Sequence, residues 1–275
     1  MKLRSTNSYK IAQAFCFVWL SLIQWNIQLH AQAIELGYQL GGSNYWGDLA
    51  PKVVLTETQM SSGLFARLNL SNSFAWKNEL NFHNVSGTDQ NFDFNKSRNL
   101  NFHSKITEFA SVIEFNFTKY GTGVLDKKIT SYFYTGLSYF RFNPQTEINN
   151  NTVDLATYQT EDVAYKTTAM AVPFGMGVKW MVNKNIALEW QIGFRKTFTD
   201  YLDDVSTVYP DIDAKLAKGL VAGTLTDRSI ESNNGTPLNQ QGFRRGNPDY
   251  NDWFMSTTIS VCYRINSRVK CARVF

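Results

Sequence analysis

The residues able to catalyse a reaction or hold an ion are few in this chain of 275 residues. Past position 31 the histidines are His83 and His103. A lipid-directed hydrolase would need such a His beside a serine or an acid. Neither has that partner at a defined spacing in the sequence, so both are expected at solvated surface, His83 near the outer end of a strand and His103 in the following loop. Asp200, Asp203 and Asp204 could together attract Ca²⁺. Their spacing lacks the alternation and closing Glu of an EF-hand loop, and a solvated acidic loop is the plainer expectation. Cys262 and Cys271 could form a disulfide only if the chain reverses near Asn266-Ser267, because the intervening segment can extend to about 30 Å. Two free thiols, one inside the fold and one on a tail, are the equal alternative. None of these groups implies a catalytic site, a cofactor, a metal or a small-molecule substrate.

The start of the chain has the character of an export signal. Lys2, Arg4 and Lys10 precede a mostly apolar stretch from Ile11 to Leu29, and Leu29-His30-Ala31 ends on a small residue. This predicts a signal peptide over residues 1–31, cleaved before Gln32. Gln13, Gln24, Asn26 and Gln28 make the stretch a poor retained anchor, and Phe15 before Cys16 does not suit a lipoprotein. Cleavage removes three of the 27 basic residues and none of the 23 acidic ones. The remaining chain is nearly neutral, and nucleic-acid binding loses its argument from charge. An exported chain enters a compartment that permits disulfides.

Positioning falls to the elements between. A composition of 43% apolar and 18% charged residues excludes a disordered chain. Beyond the leader no uninterrupted apolar run reaches about 18 residues, which excludes a helical multi-span membrane protein. Eight segments instead alternate with period two, the pattern of strands with one apolar and one polar face. The clearest sets Met170, Val172, Phe174, Met176, Val178, Trp180 and Val182 against Ala171, Pro173, Gly175, Gly177 and Lys179. Others begin near Ile34, Leu64, Phe74, Glu108, Phe133, Ile186 and Trp253.

The connections between these segments alternate in length. Long ones run from Ser43 to Ser61, Ser86 to Ser104, Asn143 to Lys166 and Thr199 to Asp249; short ones run from Ser71 to Ser73, Thr118 to Lys128 and Asn183 to Asn185. A soluble lipocalin-like barrel would turn its apolar face inward. An outer-membrane barrel has short periplasmic turns and long outside loops. The expectation is therefore an all-β, eight-stranded antiparallel up-and-down transmembrane β-barrel with long extracellular loops over residues 32–265. A short basic periplasmic tail follows at 266–275, where Arg268, Lys270 and Arg273 could face a partner or lipid headgroups.

Charges share the polar parity. Glu35, Glu79, Glu108, Glu114 and Glu189 face inward with Arg67, Lys77, Lys179, Arg195 and Arg264. A barrel of eight strands is only wide enough for its own side chains, so these ten should pair as a plug. The inward glycines Gly37, Gly41, Gly136, Gly175, Gly177 and Gly193 should make room for the long charged side chains. Pro173 cannot donate to a ladder and should mark a bulge or a break. Asp211 to Leu220 could form one or two helical turns over the barrel mouth, capped by Asp211 or Asp213.

Several stretches resemble the PorG family of type IX secretion components. They are Leu36 to Leu49, Tyr134 to Phe142 (YTGLSYFRF), Val172 to Lys179 (VPFGMGVK) and Phe194 to Thr207 (FRKTFTDYLDDVST), in the same order along nearly the whole mature chain. The run with Arg195, Lys196, Thr197, Asp200, Tyr201, Asp203 and Asp204 is the most distinctive. The resemblance implies an integral protein of a Gram-negative outer membrane with no enzymatic activity. It would associate with a periplasmic ring built from a PorK-like lipoprotein and a PorN-like protein, supporting cargo export and, in some bacteria, gliding motility. A stand-alone barrel serving adhesion or membrane integrity through its outside loops is the alternative.

Overall fold

The computed structural model describes residues 34–121 and 126–265. The leader expected over 1–31 and the tail with Arg268, Lys270, Cys271 and Arg273 lie outside the described residues. The strands are β1 (Ile34–Trp46), β2 (Gln59–Asn69), β3 (Phe74–Thr88), β4 (Asn101–Asn116), β5 (Ile129–Arg141), β6 (Pro144–Ile148), β7 (Asn151–Asp154), β8 (Thr168–Met181), β9 (Ile186–Thr197) and β10 (Trp253–Ile265). They pair in the order β3-β2-β1-β10-β9-β8-β5-β4, and β3 pairs with β4. Eight antiparallel strands thus close into a barrel, leaving no open edge for lipid to meet. Alternation drives the closure: Leu36, Tyr38 and Leu40 face outward while Glu35 and Gln39 are buried.

The strands extend past the alternating segments, and for a physical reason. β1 continues to Trp46, and its Ser43, Asn44 and Tyr45 are all buried. Above the lipid, loops cover both faces of a strand, so period two no longer marks it. The remaining pair, β6 and β7, is a hairpin inside the connection expected to be an irregular loop. It turns at Asn149 and Asn150, whose φ values of 51° and 60° suit asparagine in a tight hairpin. It joins the barrel through His103↔Gln145 and Ser104↔Pro144, so His103 lies in β4 and not in a loop.

At Pro173 the β5–β8 ladder runs to Thr135↔Phe174 and resumes in the same register at Ser138↔Ala171. The pairing breaks without a bulge. The inward glycines have a different use from the one expected. A Cβ on Gly37 would lie 2.2 Å from the Phe65 ring, and one on Gly193 would lie 1.9 Å from the Tyr134 hydroxyl. Aromatic side chains lie nearest at Gly37 and Gly193, with the charged Arg195 Nη1 3.0 Å from the latter position, whereas strand backbone lies nearest at Gly41, Gly175 and Gly177. Gly136 also serves the backbone, since its Cβ would meet the Ser111 carbonyl oxygen at 2.0 Å.

Four short α-helices lie in the outer loops among the described residues: α1 (Leu155–Tyr158), α2 (Ile212–Lys218), α3 (Leu220–Thr226) and α4 (Ser229–Ser232). Asp211 caps α2 by accepting from the Ala214 N–H at 3.0 Å. The loops form an apolar core with the outer strand ends, in which Leu49, Phe92, Leu202, Val205 and Leu225 pack with Tyr45, Phe102, Phe140 and Phe254.

Candidate functional site

The inner face carries one connected set of charges, and strand register assembles it. Glu35 lies directly opposite Arg67 on β2 and Arg264 on β10, and Lys179 opposite Glu189. Arg67 is the hub. It meets Glu35 and Glu114, each at 2.8 Å, and also Glu189 across the lumen. Lys77 reaches Glu79 at 2.6 Å and Glu114 at 3.1 Å. Lys179 pairs with Glu114 and packs over the Tyr132 ring at 4.2 Å. Arg264 closes the periplasmic side on Glu35 at 2.5 Å.

A second layer sits outward. Arg195 meets Glu108 at 3.3 Å and donates to Ser256 at 2.5 Å. Asn81 joins the layers, donating to Glu79 at 3.0 Å and to Glu108 at 3.1 Å. All ten charged residues are buried. In a lumen this narrow they fill space that a solute would need.

His83 departs from expectation. It is buried, with Ser61 Oγ 2.7 Å from Nδ1 and Glu108 Oε2 3.2 Å from Nε2. The partners come from neighbouring strands: β2 sets Ser61 opposite His83, and β4 sets Ile106 opposite it with Glu108 two residues on. Sequence spacing could not show this constellation; register could. Ser61 and His83 are each only 2% exposed, so the group has the residue types of a hydrolase without access for a lipid ester. Cys262 is also buried in the lumen, and its possible partner Cys271 lies outside the described residues.

The run from Arg195 to Asp204 joins lumen to cap. Arg195 points down to Glu108, Lys196 lies over Trp253 at 5.8 Å, and Thr197 donates to the Asp252 carbonyl at 2.6 Å. Tyr201 stacks on Tyr165 at 4.4 Å. Asp203 and Asp204 are buried, not solvated, and they turn to different partners. The Asp203 carboxylate lies 2.6 Å from the Tyr45 hydroxyl, which is 2.7 Å from Asp252. Asp204 accepts from Thr160 at 2.5 Å and Tyr165 at 2.6 Å. Among the described residues no group of three or more His, Cys, Asp or Glu is placed to hold a metal. The sequence missed Tyr45 and Asp252, which lie far from Asp203 along the chain.

Burial sets the protonation of this cluster. It pushes Asp203 and Asp252 well above the usual carboxylate range, with mutual repulsion adding to the effect at Asp203. One hydroxyl hydrogen cannot serve two carboxylates, so a retained proton satisfies the pair. Asp204 is raised to about 6 by burial against the opposing pull of Arg245. Asp200 is raised to about 7 by burial, reinforced by Asp48 and Glu161. Arginines pin the loops together. Arg98 holds Asp89 at 2.5 Å and the Arg245 carbonyl at 2.5 Å, and Arg245 holds Glu161 at 3.0 Å.

Closure, an outward apolar belt and long loops gathered at one end define an outer-membrane-type β-barrel with a filled lumen. The chain belongs to the family described as a domain of unknown function, DUF6089, which matches residues 13–217. No curated protein matches it in sequence. Among solved structures it is similar to neisserial surface protein A, at 8% identity and TM-score 0.43 over 85% of this chain and 99% of the other. It is also similar to Ail, the attachment invasion locus protein of Yersinia pestis, at 8% identity and TM-score 0.42 over 85% of this chain and 99% of that one. The outer membrane protein OprG of Pseudomonas aeruginosa matches at 8% identity and TM-score 0.41 over 86% of this chain and 97% of that one. The fold assignment rests on the barrel's own closure and apolar belt.

Proposed function

We propose that this barrel is a non-enzymatic component of the type IX secretion machinery of a Gram-negative bacterium, fastening its periplasmic ring to the outer membrane. The observation that carries the reading is the filled lumen under a locked cap. A barrel that passes no cargo does its work at its surfaces, and the resemblance to PorG favours the periplasmic one. The short-turn end exposes Lys119, Lys127, Lys128 and Lys184, with Asp126 as the acid among the described residues of those turns. That basic rim suits an acidic ring surface. A leader cleaved after Ala31 would deliver the chain, and the tail with Arg268, Lys270 and Arg273 would extend the rim. Its area is small against the roughly 1,200 Å² of a stable interface, so rim and tail would act together.

The test is affinity purification of tagged mature protein from outer membranes in mild detergent, with mass spectrometry of what accompanies it. The PorK-like lipoprotein and PorN-like protein are expected, and are expected to be lost when Asn266–Phe275 is deleted. Recovery of the barrel alone refutes the anchoring role. A second reading, a stand-alone barrel acting through its outer loops, is favoured by the apolar core that packs those loops onto the outer strand ends. It predicts loss of surface binding, with cargo secretion intact, after trimming Thr199 to Asp249.

A further inference from the structure

Two hollows on the outer rim share a floor. The first, about 380 Å³, is lined by Trp46, Tyr250 and Trp253 together with Asp48, Asn247 and Asn251. The second, about 340 Å³, shares Asp48 and Asn247 and continues past Phe94 and Asn95 to Arg244. Each falls in the size range of small-ligand sites, about 300–1,000 Å³.

The lining has a particular chemistry. Tyr250 is 73% exposed on a polar loop, which leaves its ring open to a ligand. Trp46 and Trp253 are a cross-strand pair at the outer ends of β1 and β10, their ring centroids 6.1 Å apart and tilted by 45°. Beside these rings stand one carboxylate and two amides, which between them can accept from and donate to adjacent hydroxyls. Aromatic faces for C–H surfaces with carboxylate and amide edges for hydroxyls are what a sugar ring requires. An aromatic girdle alone accounts for the two tryptophans. It does not account for Tyr250 beyond the strand end, or for Asp48, Asn247 and Asn251.

The floor is preformed. Asp48 Oδ2 accepts from the Asn247 N–H at 2.7 Å, and Gly246 packs so close that a Cβ would lie 2.5 Å from that oxygen. Gly47 backs the wall against the buried Tyr45 and Asp252, where a Cβ would lie 2.0 Å and 2.1 Å from their oxygens. At the far end Arg244 stands 3.9 Å from Asp249, both side chains exposed. That pair is weak and an anionic substituent can displace it, while the guanidinium is held in place by donating to the Gly246 carbonyl at 2.8 Å and to Asn247 Oδ1.

We propose that this groove binds saccharide, and that its occupant is the anionic core oligosaccharide of lipopolysaccharide in the surrounding outer leaflet. The location selects the occupant. The aromatic end opens at the outer strand ends, above the lipid and at the level of the sugars that the outer leaflet's glycolipid projects, and a glycolipid held in that leaflet is presented at high effective concentration. Rings from the core stack on Tyr250 and the tryptophans, Asp48 and the asparagines take hydroxyls, and Arg244 receives a phosphate or carboxylate. The site does not depend on the secretion role and stands or falls separately from it.

The test uses the full mature protein in detergent. The probe is the oligosaccharide released by mild acid from the producing bacterium's lipopolysaccharide. Saturation-transfer NMR reports contact and calorimetry reports affinity. Wild type is expected to show transfer, and Tyr250→Ala and Asn251→Ala are each expected to weaken binding about tenfold. Arg244→Gln should weaken the phosphorylated oligosaccharide and leave its dephosphorylated form unchanged. Leu238→Ala, exposed on the cap outside the groove, should bind as wild type. Each variant is first checked for the folded barrel's mobility on an unheated gel. No transfer to wild type, or undiminished binding in the Tyr250→Ala, Asn251→Ala double variant, overturns the proposal. Equal affinity for a neutral soluble glucan overturns the assignment to the glycolipid.

Discussion

Replacing Arg67 with Met tests whether the lumen is held by a charge balance. Met keeps the apolar stem and ends where the guanidinium begins, so the change removes the charge with its hydrogen bonds and leaves only the small space of that group. Arg67 meets Glu35, Glu114 and Glu189, and after its loss five lumen carboxylates face four cations. Glu35 keeps Arg264, Glu114 keeps Lys77 and Lys179, and Glu189 keeps Lys77 at 3.5 Å. Abandoning one partner of a buried pair costs about 3–5 kcal/mol. The retained partners place this case at the low end, near ~3 kcal/mol. Urea unfolding in lipid vesicles, read by the gel shift between folded and unfolded barrel, measures it. With a slope of about 1–3 kcal/mol/M the midpoint should fall by ~1–3 M. Adding Glu189→Gln restores the balance and should recover at least about 1 kcal/mol of the loss. A single variant within about 1 kcal/mol of wild type, or a double variant in which the two losses simply add, refutes the charge-balance account.

Three further outcomes follow from the same geometry. Asp204 at about 6 and Asp200 at about 7 lie above the unfolded value near 3.9, so the folded cap binds more protons than the unfolded one. The cap's stability is then complete in acid and declines as pH rises through about 6–7. Proteolysis between residues 198 and 252 should be slower at pH 5 than at pH 8, with Asp200→Asn flattening the difference; the opposite trend refutes the assignment. Gly136→Ala drives a Cβ onto the Ser111 carbonyl oxygen at 2.0 Å, whereas Gly37→Ala meets only the Phe65 ring, which can turn. The first should cost about 1–3 kcal/mol and the second less, measured by the folded fraction on refolding. In planar bilayers the barrel should conduct no steady current even with Thr199 to Asp249 removed, because the ion pairs lie below the cap. An open pore in that variant refutes the filled lumen.

Alternation made the barrel legible in the sequence because lipid and lumen impose opposite polarity on successive residues. The same logic showed which charges point inward, since parity alone assigns them. It ended where lipid ends. Ser43, Asn44 and Tyr45 are consecutive and all buried, and no period survives when loops cover both faces. The β6–β7 hairpin was hidden for a related reason, being short, polar and attached only at the rim. His83 shows the other limit. Its serine and its glutamate are 22 and 25 residues away, a separation without meaning until register is fixed. A register built from the turns at Ser71 to Ser73 and at residues 89–100 would have placed Ser61 and Glu108 beside it.

The run from Arg195 to Asp204 is the most distinctive part of the sequence, and packing accounts for most of it. Arg195 completes the upper ion pairs with Glu108 and Ser256. Thr197 fixes the start of β10 through the Asp252 carbonyl. Asp203 shares Tyr45 with Asp252, and Asp204, held at φ 67°, takes the Thr160 and Tyr165 hydroxyls. Residues so buried cannot present themselves to a partner. The motif is therefore a signature of how this barrel is sealed, and partner recognition must be sought at exposed positions. Asp203→Ala should loosen the cap to protease while leaving co-purification of a periplasmic partner unchanged, whereas reversing charge at Lys127 and Lys128 should do the converse. Loss of the partner with an intact cap in the Asp203 variant would show that the motif acts directly.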